Sequence, residues 1–148
     1  TAGDSHEGTV STDKSLDDLL ANELVPFQQA VNNGASFVMV GHISAPAVTG
    51  DDTPASLSSV MVTDVLRNQL GFHGVVITDA MNMGAVTATY SSADAAVTAI
   101  QAGVDMILMP DDFQSAYQGV MDAVASGTIT EDRINESVAR IIKVKLTM

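Results

Sequence analysis

Cysteine is absent from the 148 residues, which excludes disulfides and thiolate metal ligands and leaves the redox compartment unmarked. Positive charge is scarce as well. Six Lys and Arg stand against eighteen Asp and Glu, a formal net charge of −12. That balance opposes binding to the phosphate backbone of nucleic acid or to anionic lipid, and it favours a neutral, sugar-like or cationic ligand. No apolar run approaches the ~20 residues of a membrane span. No signal peptide is visible, and neither a G-x-G-x-x-G nor a phosphate loop with its Lys occurs. His6, His42 and His73 are far apart, and Asp51-Asp52 and Asp111-Asp112 read as acidic turn pairs. No metal site and no cofactor are expected.

With 46% apolar residues the chain can build one domain with a core. It opens abruptly at "TAGDSHEGTV", without an initiator Met, and reads as an excised piece. A missing start is the place for any targeting signal, so localisation (bacterial cytoplasm, or secreted and cell-wall-associated) stays open.

Helical and strand patterns alternate, which argues for parallel βα units and an α/β fold. Ser15 and Asp18 form an approximate capping box ahead of Leu16, Leu19, Leu20, Leu24, Phe27 and Val31 at helical spacing. Pro26 is expected to kink or restart this helix, and Gly34 to stop it. "FVMVGHI", 37–43, reads as a continuous strand buried on both faces. Ser56 or Ser58 then caps a helix with Leu57, Met61, Val65 and Leu66 inward. "GVVITD" is the second strand, 92–103 a small-residue helix, and "VDMILMP", 104–110, the third strand. Asp112 caps a helix with Phe113, Ala116, Tyr117, Val120, Met121 and Val124 inward. Thr130 caps the last, with Ile134, Val138, Ile141 and Ile142 inward. Three parallel strands leave two bare edges. At about 30 residues per unit, a complete (β/α)8 barrel takes ~250 residues. Either the sheet is the whole of a small domain, or it is part of a larger sheet such as a (β/α)8 TIM barrel, of which the chain would hold three parallel βα units plus a leading loop and helix. The abrupt start favours the second option.

Ligands of parallel α/β folds sit at the carboxyl ends of the strands. His42, Asp79 and the stretch Met109 to Asp112 fall there. Asp79 closes an apolar β-branched strand, and from position alone it either caps the following turn or acts on a ligand. Met81 and Met83 would then be exposed in the loop beyond it, where thioethers suit the apolar wall of a pocket. At least one of them is also explained by core filling. Asp4 and His6 are one residue apart, so in an extended segment both side chains point the same way. A carboxylate on one imidazole nitrogen fixes the tautomer and raises the basicity of the other. His42 is a candidate ligand contact or a packed residue. His73 precedes its strand, at the opposite end, and has no expected role.

The stretch 42–86, "HISAPAVTGDDTPASLSSVMVTDVLRNQLGFHGVVITDAMNMGAV", resembles the family 3 glycoside hydrolases, especially their β-N-acetylglucosaminidase branch. It carries the family's Pro-Ala-Ser-Leu-Ser helix opening, its L-R-x-x-L-G-F-x-G run and its V-[IV]-[ST]-D-x-x-x-M motif. The close, "ASGTITEDRINESVARIIKVK", and the start, "DSHEGTV", are similar to family patterns too. The resemblance implies that Asp79 is the nucleophile, His6 the acid/base and Asp4 its partner, on a catalytic loop spanning 1–12. It implies residues 1–148 as a C-terminal fragment of a single (β/α)8 hydrolase domain, the C-terminal portion of a TIM barrel. His42 and Met83, from their position at the strand ends, are the candidate substrate contacts. The family's Lys-His-Phe-Pro-Gly-His-Gly sugar grip would lie upstream of Thr1, and Ala80 stands where many relatives carry a second Asp. The implied reaction is retaining hydrolysis of terminal β-N-acetylglucosaminides, such as peptidoglycan-derived or chito-oligosaccharide fragments. The fragment is expected to be inactive alone, and to associate with the missing half of the barrel or with another copy of itself, or to be a proteolytic remnant in which the loop is loose.

Two other readings compete with it. A receiver-like signalling module would need a lysine at a later strand end, and Lys14, Lys143 and Lys145 are the only lysines, none of them so placed. A carbohydrate-binding relic without catalysis stays open on sequence.

Overall fold

The structure, a computed structural model, describes residues 3–147. Thr1, Ala2 and Met148, which belong to the expected 1–12 loop and 1–148 unit, lie outside the described residues. After β1 (Val10–Ser11) come two short helices, α1 (Leu16–Ala21) and α2 (Val25–Asn32). Ser15 Oγ accepts from the Asp18 amide (3.2 Å) and the Asp18 carboxylate accepts in return from the Ser15 amide (3.4 Å), so the capping box is complete. Pro26 restarts the chain in the first turn of α2, where a missing N–H costs nothing.

The main sheet is parallel, with β2 (Phe37–Val40) and β5 (Met106–Leu108) flanking β4 (Val75–Ala80). A second parallel pairing joins β1 to β3 (Ile43–Ser44), Val10 lying opposite Ile43. Beyond β3 follow α3 (Pro46–Thr49) and a helix over Val60–Gln69 wound with π geometry. After β4 come α4 (Gly84–Thr87) and α5 (Ser92–Ala102), and after β5 come α6 (Phe113–Ala125) and α7 (Glu131–Thr147). Gly103, at φ +112°, closes α5, and Asp112 caps α6 by accepting from the Ser115 amide at 3.0 Å. The core gathers Val62, Leu66, Phe72, Val76, Val86, Ala99 and Val104, each at most 6% exposed.

Several local expectations change. "FVMVGHI" is not one continuous strand: it ends at Val40, bends through Gly41 and His42, and resumes at Ile43. Nor is it buried on both faces, since Phe37 and Met39 are exposed. Among the described residues β2 pairs in this sheet with β4 alone. On α6, Phe113, Tyr117 and Met121 point to solvent, while Ala116 and Ala123 are buried. α6 packs along α5 so closely that a methyl on Gly119 would stand 2.7 Å from the Ala93 methyl. Only a face of small residues fits there. α7 likewise buries Ser137 and Val144 and exposes Val138 and Ile142. In the π-helix Val62, Val65 and Leu66 are buried and Met61 is half-buried.

Candidate active site

Asp79 lies one residue before the carboxyl end of the central strand. Its placement depends on an irregularity in the ladder. Ile77 pairs with Met106 and Ala80 with Leu108, so β4 advances three residues while β5 advances two. Thr78 fills the gap: it is fully buried, and its Oγ1 accepts from the Leu108 amide at 3.0 Å. The Met81 amide then donates to the Leu108 carbonyl (2.9 Å). An extra residue of this kind re-aims the side chain beside it, and that neighbour is Asp79. One carboxylate oxygen accepts from the Ala80 amide at 2.8 Å. Among the described residues no Lys, Arg or His forms an ion pair with it.

His42 supports the same strand end from the other side. It is 1% exposed; its Nε2 donates to the Ala80 carbonyl (3.0 Å) and its Nδ1 lies 2.7 Å from Ser56 Oγ. A carbonyl only accepts, so Nε2 carries the proton, and in the neutral ring Nδ1 accepts from the Ser56 hydroxyl. Both nitrogens are engaged. Through the Ala80 carbonyl the ring holds the backbone next to Asp79. Met81 and Met83, expected exposed, are 3% and 5% exposed. Met81 packs in the core with Val86, because the chain turns inward after β4 instead of looping into solvent.

Asp4 and His6 do meet, but in a turn rather than an extended segment. The Asp4 carbonyl accepts from the amides of Glu7 (3.0 Å) and Gly8 (3.3 Å). A single Asp4 carboxylate oxygen accepts from the His6 amide at 2.9 Å and from His6 Nδ1 at 2.8 Å. The two hydrogen bonds, the amide's first, hold the Asp4 carboxyl below its ordinary value. Nδ1 is thereby assigned as the donor, leaving Nε2 free for proton transfer. Both side chains are largely exposed, 75% for His6 and 60% for Asp4. The loop is hydrogen-bonded to the rest of the fold at two places. The amides of Gly84 and Ala85 donate to the carbonyls of His6 (3.1 Å) and Ser5 (3.2 Å), and β1 ties its far end to β3. The pair is thus docked onto the segment that directly follows Asp79. On the neighbouring strand end, Met109 holds φ +46°, a left-handed conformation uncommon outside glycine and of the kind that clusters at functional sites.

Sequence reasoning missed the other end of the sheet. Asp105 precedes β5, and its side chain is fully buried. It accepts from Arg67 (2.7 Å), the Val76 amide (2.9 Å), Ser137 (2.7 Å) and Arg140 (3.0 Å), with Arg133 at 3.8 Å. Burial pulls the Arg67 and Arg133 guanidiniums below their ordinary value, opposed chiefly by the Asp105 charge. Arginine stays charged even so. One signal was available: Arg133, Ser137 and Arg140 recur at i, i+4 and i+7, one face of a helix. Among the described residues, no group of three His, Cys, Asp or Glu is placed to hold a metal, and no helix is long and apolar enough to cross a membrane.

Comparison with known proteins shows the family and the fold. Residues 1–144 match the family model "Glycosyl hydrolase family 3 N terminal domain". "Beta-hexosaminidase LpqI" of Mycobacterium tuberculosis is 33% identical, covering 97% of this chain and 38% of its own length. "Beta-hexosaminidase A" of Pseudoalteromonas piscicida is 28% identical, covering 96% and 27%. Among solved structures, a family 3 β-N-acetylglucosaminidase from Paenibacillus superposes with a TM-score of 0.95 at 37% identity, over 99% of this chain and 28% of that one. The chain spans well under half the length of these relatives. Its parallel sheet is the corresponding portion of their (β/α)8 barrel.

Proposed function

Because the chain belongs to glycosyl hydrolase family 3, whose N-terminal domain it matches over residues 1–144, we propose that it supplies the nucleophile and the acid/base of a retaining β-N-acetylglucosaminidase. The observation that carries this reading is one juxtaposition. A carboxylate with no ion-pair partner among the described residues sits at a strand end, and a histidine–aspartate pair 2.8 Å apart is hydrogen-bonded to the segment beyond it.

In the first step an Asp79 oxygen bonds to the anomeric carbon as the glycosidic C–O bond breaks, and His6 Nε2–H gives its proton to the leaving oxygen. In the second, water attacks the anomeric carbon as its bond to the Asp79 oxygen breaks, which restores the carboxylate, and the water's proton passes to Nε2. The Asp4 carboxylate stabilises the imidazolium that the first step requires. The bulge at Thr78 and the His42 bond to Ala80 hold the strand end. The substrates that fit are terminal β-linked N-acetylglucosaminides, as in cell-wall fragments or chito-oligosaccharides. A sugar grip from the amino-terminal half of a barrel completes the pocket, so the 148-residue chain alone is inactive.

Phosphate is a second acceptor that fits in place of water, since a neutral histidine does not repel an anion as a carboxylate base would. A solved β-glucoside phosphorylase, BglX, superposes at a TM-score of 0.90 and 28% identity.

The test uses the chain with the amino-terminal half of the barrel supplied. Asp79→Ala is expected to abolish release from an aryl N-acetyl-β-glucosaminide, and azide to restore part of it. His6→Ala is expected to cripple poor leaving groups far more than activated ones. Normal turnover in Asp79→Ala overturns the nucleophile, and equal losses across leaving groups overturn the acid/base. No turnover by the unsubstituted protein leaves a sugar-binding relic, and an active monomer of the isolated chain overturns the need for the other half.

A further inference from the structure

The loop that bears His6 rests on one glycine. A methyl group built on Gly84 would stand 2.8 Å from the carbonyl carbon of Glu7, and 2.9 Å from the carbonyl oxygens of Glu7 and His6. Carbon atoms in van der Waals contact sit ~3.5–4.0 Å apart. All three atoms are main chain, so no side-chain rotation relieves the overlap. The same residue's amide donates to His6, and the next amide to Ser5. Contact and hydrogen bonding therefore fall on one spot.

The two sides of this contact differ in how firmly they are held. On the Gly84 side, Met81, Met83, Ala85 and Val86 are all at most 5% exposed, and Met81 and Val86 belong to the core. On the loop side, Asp4 and His6 are largely solvent-exposed. A side chain at position 84 therefore displaces the loop rather than α4.

We propose that Gly84 is the seat of the acid/base loop, a positioning residue whose missing side chain sets where His6 stands relative to Asp79. This rests on the acid/base reading of His6 and adds to it a residue that never touches the sugar. It also gives the buried methionines a purpose, as the core-side anchors of the seat. Because the seat adjoins the nucleophile's own strand, loop and nucleophile share one rigid reference. Proton transfer depends steeply on such placement.

The test compares Gly84→Ala with Gly41→Ala, a position where an added methyl meets nothing within 4 Å. With the amino-terminal half of the barrel supplied, Gly84→Ala is expected to lower kcat for a poor leaving group at least about tenfold more than for an activated aryl leaving group. Its melting temperature should stay near that of the parent, and its pH profile should lose the limb that His6→Ala also removes. Gly41→Ala should show none of this. Equal loss on both substrates, or no loss, overturns the seat. If His6→Ala itself shows no leaving-group dependence, the acid/base reading fails first, and the two failures are told apart. Should Gly84→Ala not fold, hydrogen exchange on the unsubstituted 148-residue chain decides. The Gly84 and Ala85 amides are expected to exchange together with those of Glu7 and Gly8, through one local opening. Unprotected Gly84 and Ala85 amides overturn the proposal.

Discussion

Two aspartates on adjacent strands, Asp79 at the carboxyl end of β4 and Asp105 at the amino end of β5, have opposite surroundings. Asp105 is fully buried, with two arginines, a hydroxyl and an amide bonded to its oxygens and a third arginine nearby. Asp79 accepts from the amide of its own successor, with no ion-pair partner among the described residues. A buried charge must be paired to be tolerated, and Asp105 is paired into place, linking the π-helix, β4 and α7. A carboxylate that is to form a bond with a ligand must keep an oxygen free. The contrast separates an aspartate that holds the fold from one available for chemistry, although both are strand-end carboxylates. It also matches the general division of parallel barrels into a stabilising end and a reacting end.

The largest expected effect breaks the comparison at its reacting end. With the amino-terminal half of the barrel present, Asp79→Asn should lower kcat at least about a thousandfold, about 4 kcal/mol of barrel-bound barrier, while thermal unfolding barely moves. Asp105→Ala should do the reverse. It leaves three arginines without their shared carboxylate and should cost about 3–5 kcal/mol of stability, read by denaturant titration, with the surviving folded fraction still active. Loss of activity without loss of stability in Asp105→Ala would erase the distinction.

A smaller effect is expected at Ser56→Ala. It strips the buried His42 Nδ1 of its partner and should cost about 1–3 kcal/mol. Because His42 also holds the Ala80 carbonyl, some loss of kcat should accompany it. At Ser15→Ala the loss of the capping box should cost ~1 kcal/mol, seen as a melting temperature lower by a few degrees with activity unchanged.

The smallest is a pH effect on the loop. Its hydrogen bonds to His6 lower the Asp4 carboxyl below 3.8, so the docked turn is favoured while Asp4 is ionised. The contribution is complete above the ordinary carboxylate value and fades as pH falls through the lowered one. The His6 ring and amide resonances should accordingly shift below about pH 4, and Asp4→Asn should remove that transition.

What the sequence by itself determined is local. The Ser15–Asp18 box, the Asp112 cap and the second strand, read over 74–79 and found over 75–80, each depend on residues within one turn or one strand. Asp79 at a strand end and the Asp4–His6 pair are local for the same reason, being separated by at most two positions. Tertiary structure decided whatever joins distant segments. Arg67 reaches Asp105 across 38 positions, and His42 reaches Ala80 across the same interval. The His6 loop finds Gly84 from the other end of the site. Burial was decided there too. Met81 and Met83 turn inward and Phe113 and Tyr117 outward, because hydrophobicity says only that a residue gains by being covered. Which face is covered depends on what packs against it, and beside α5 the space admits alanine and glycine but not aromatic rings.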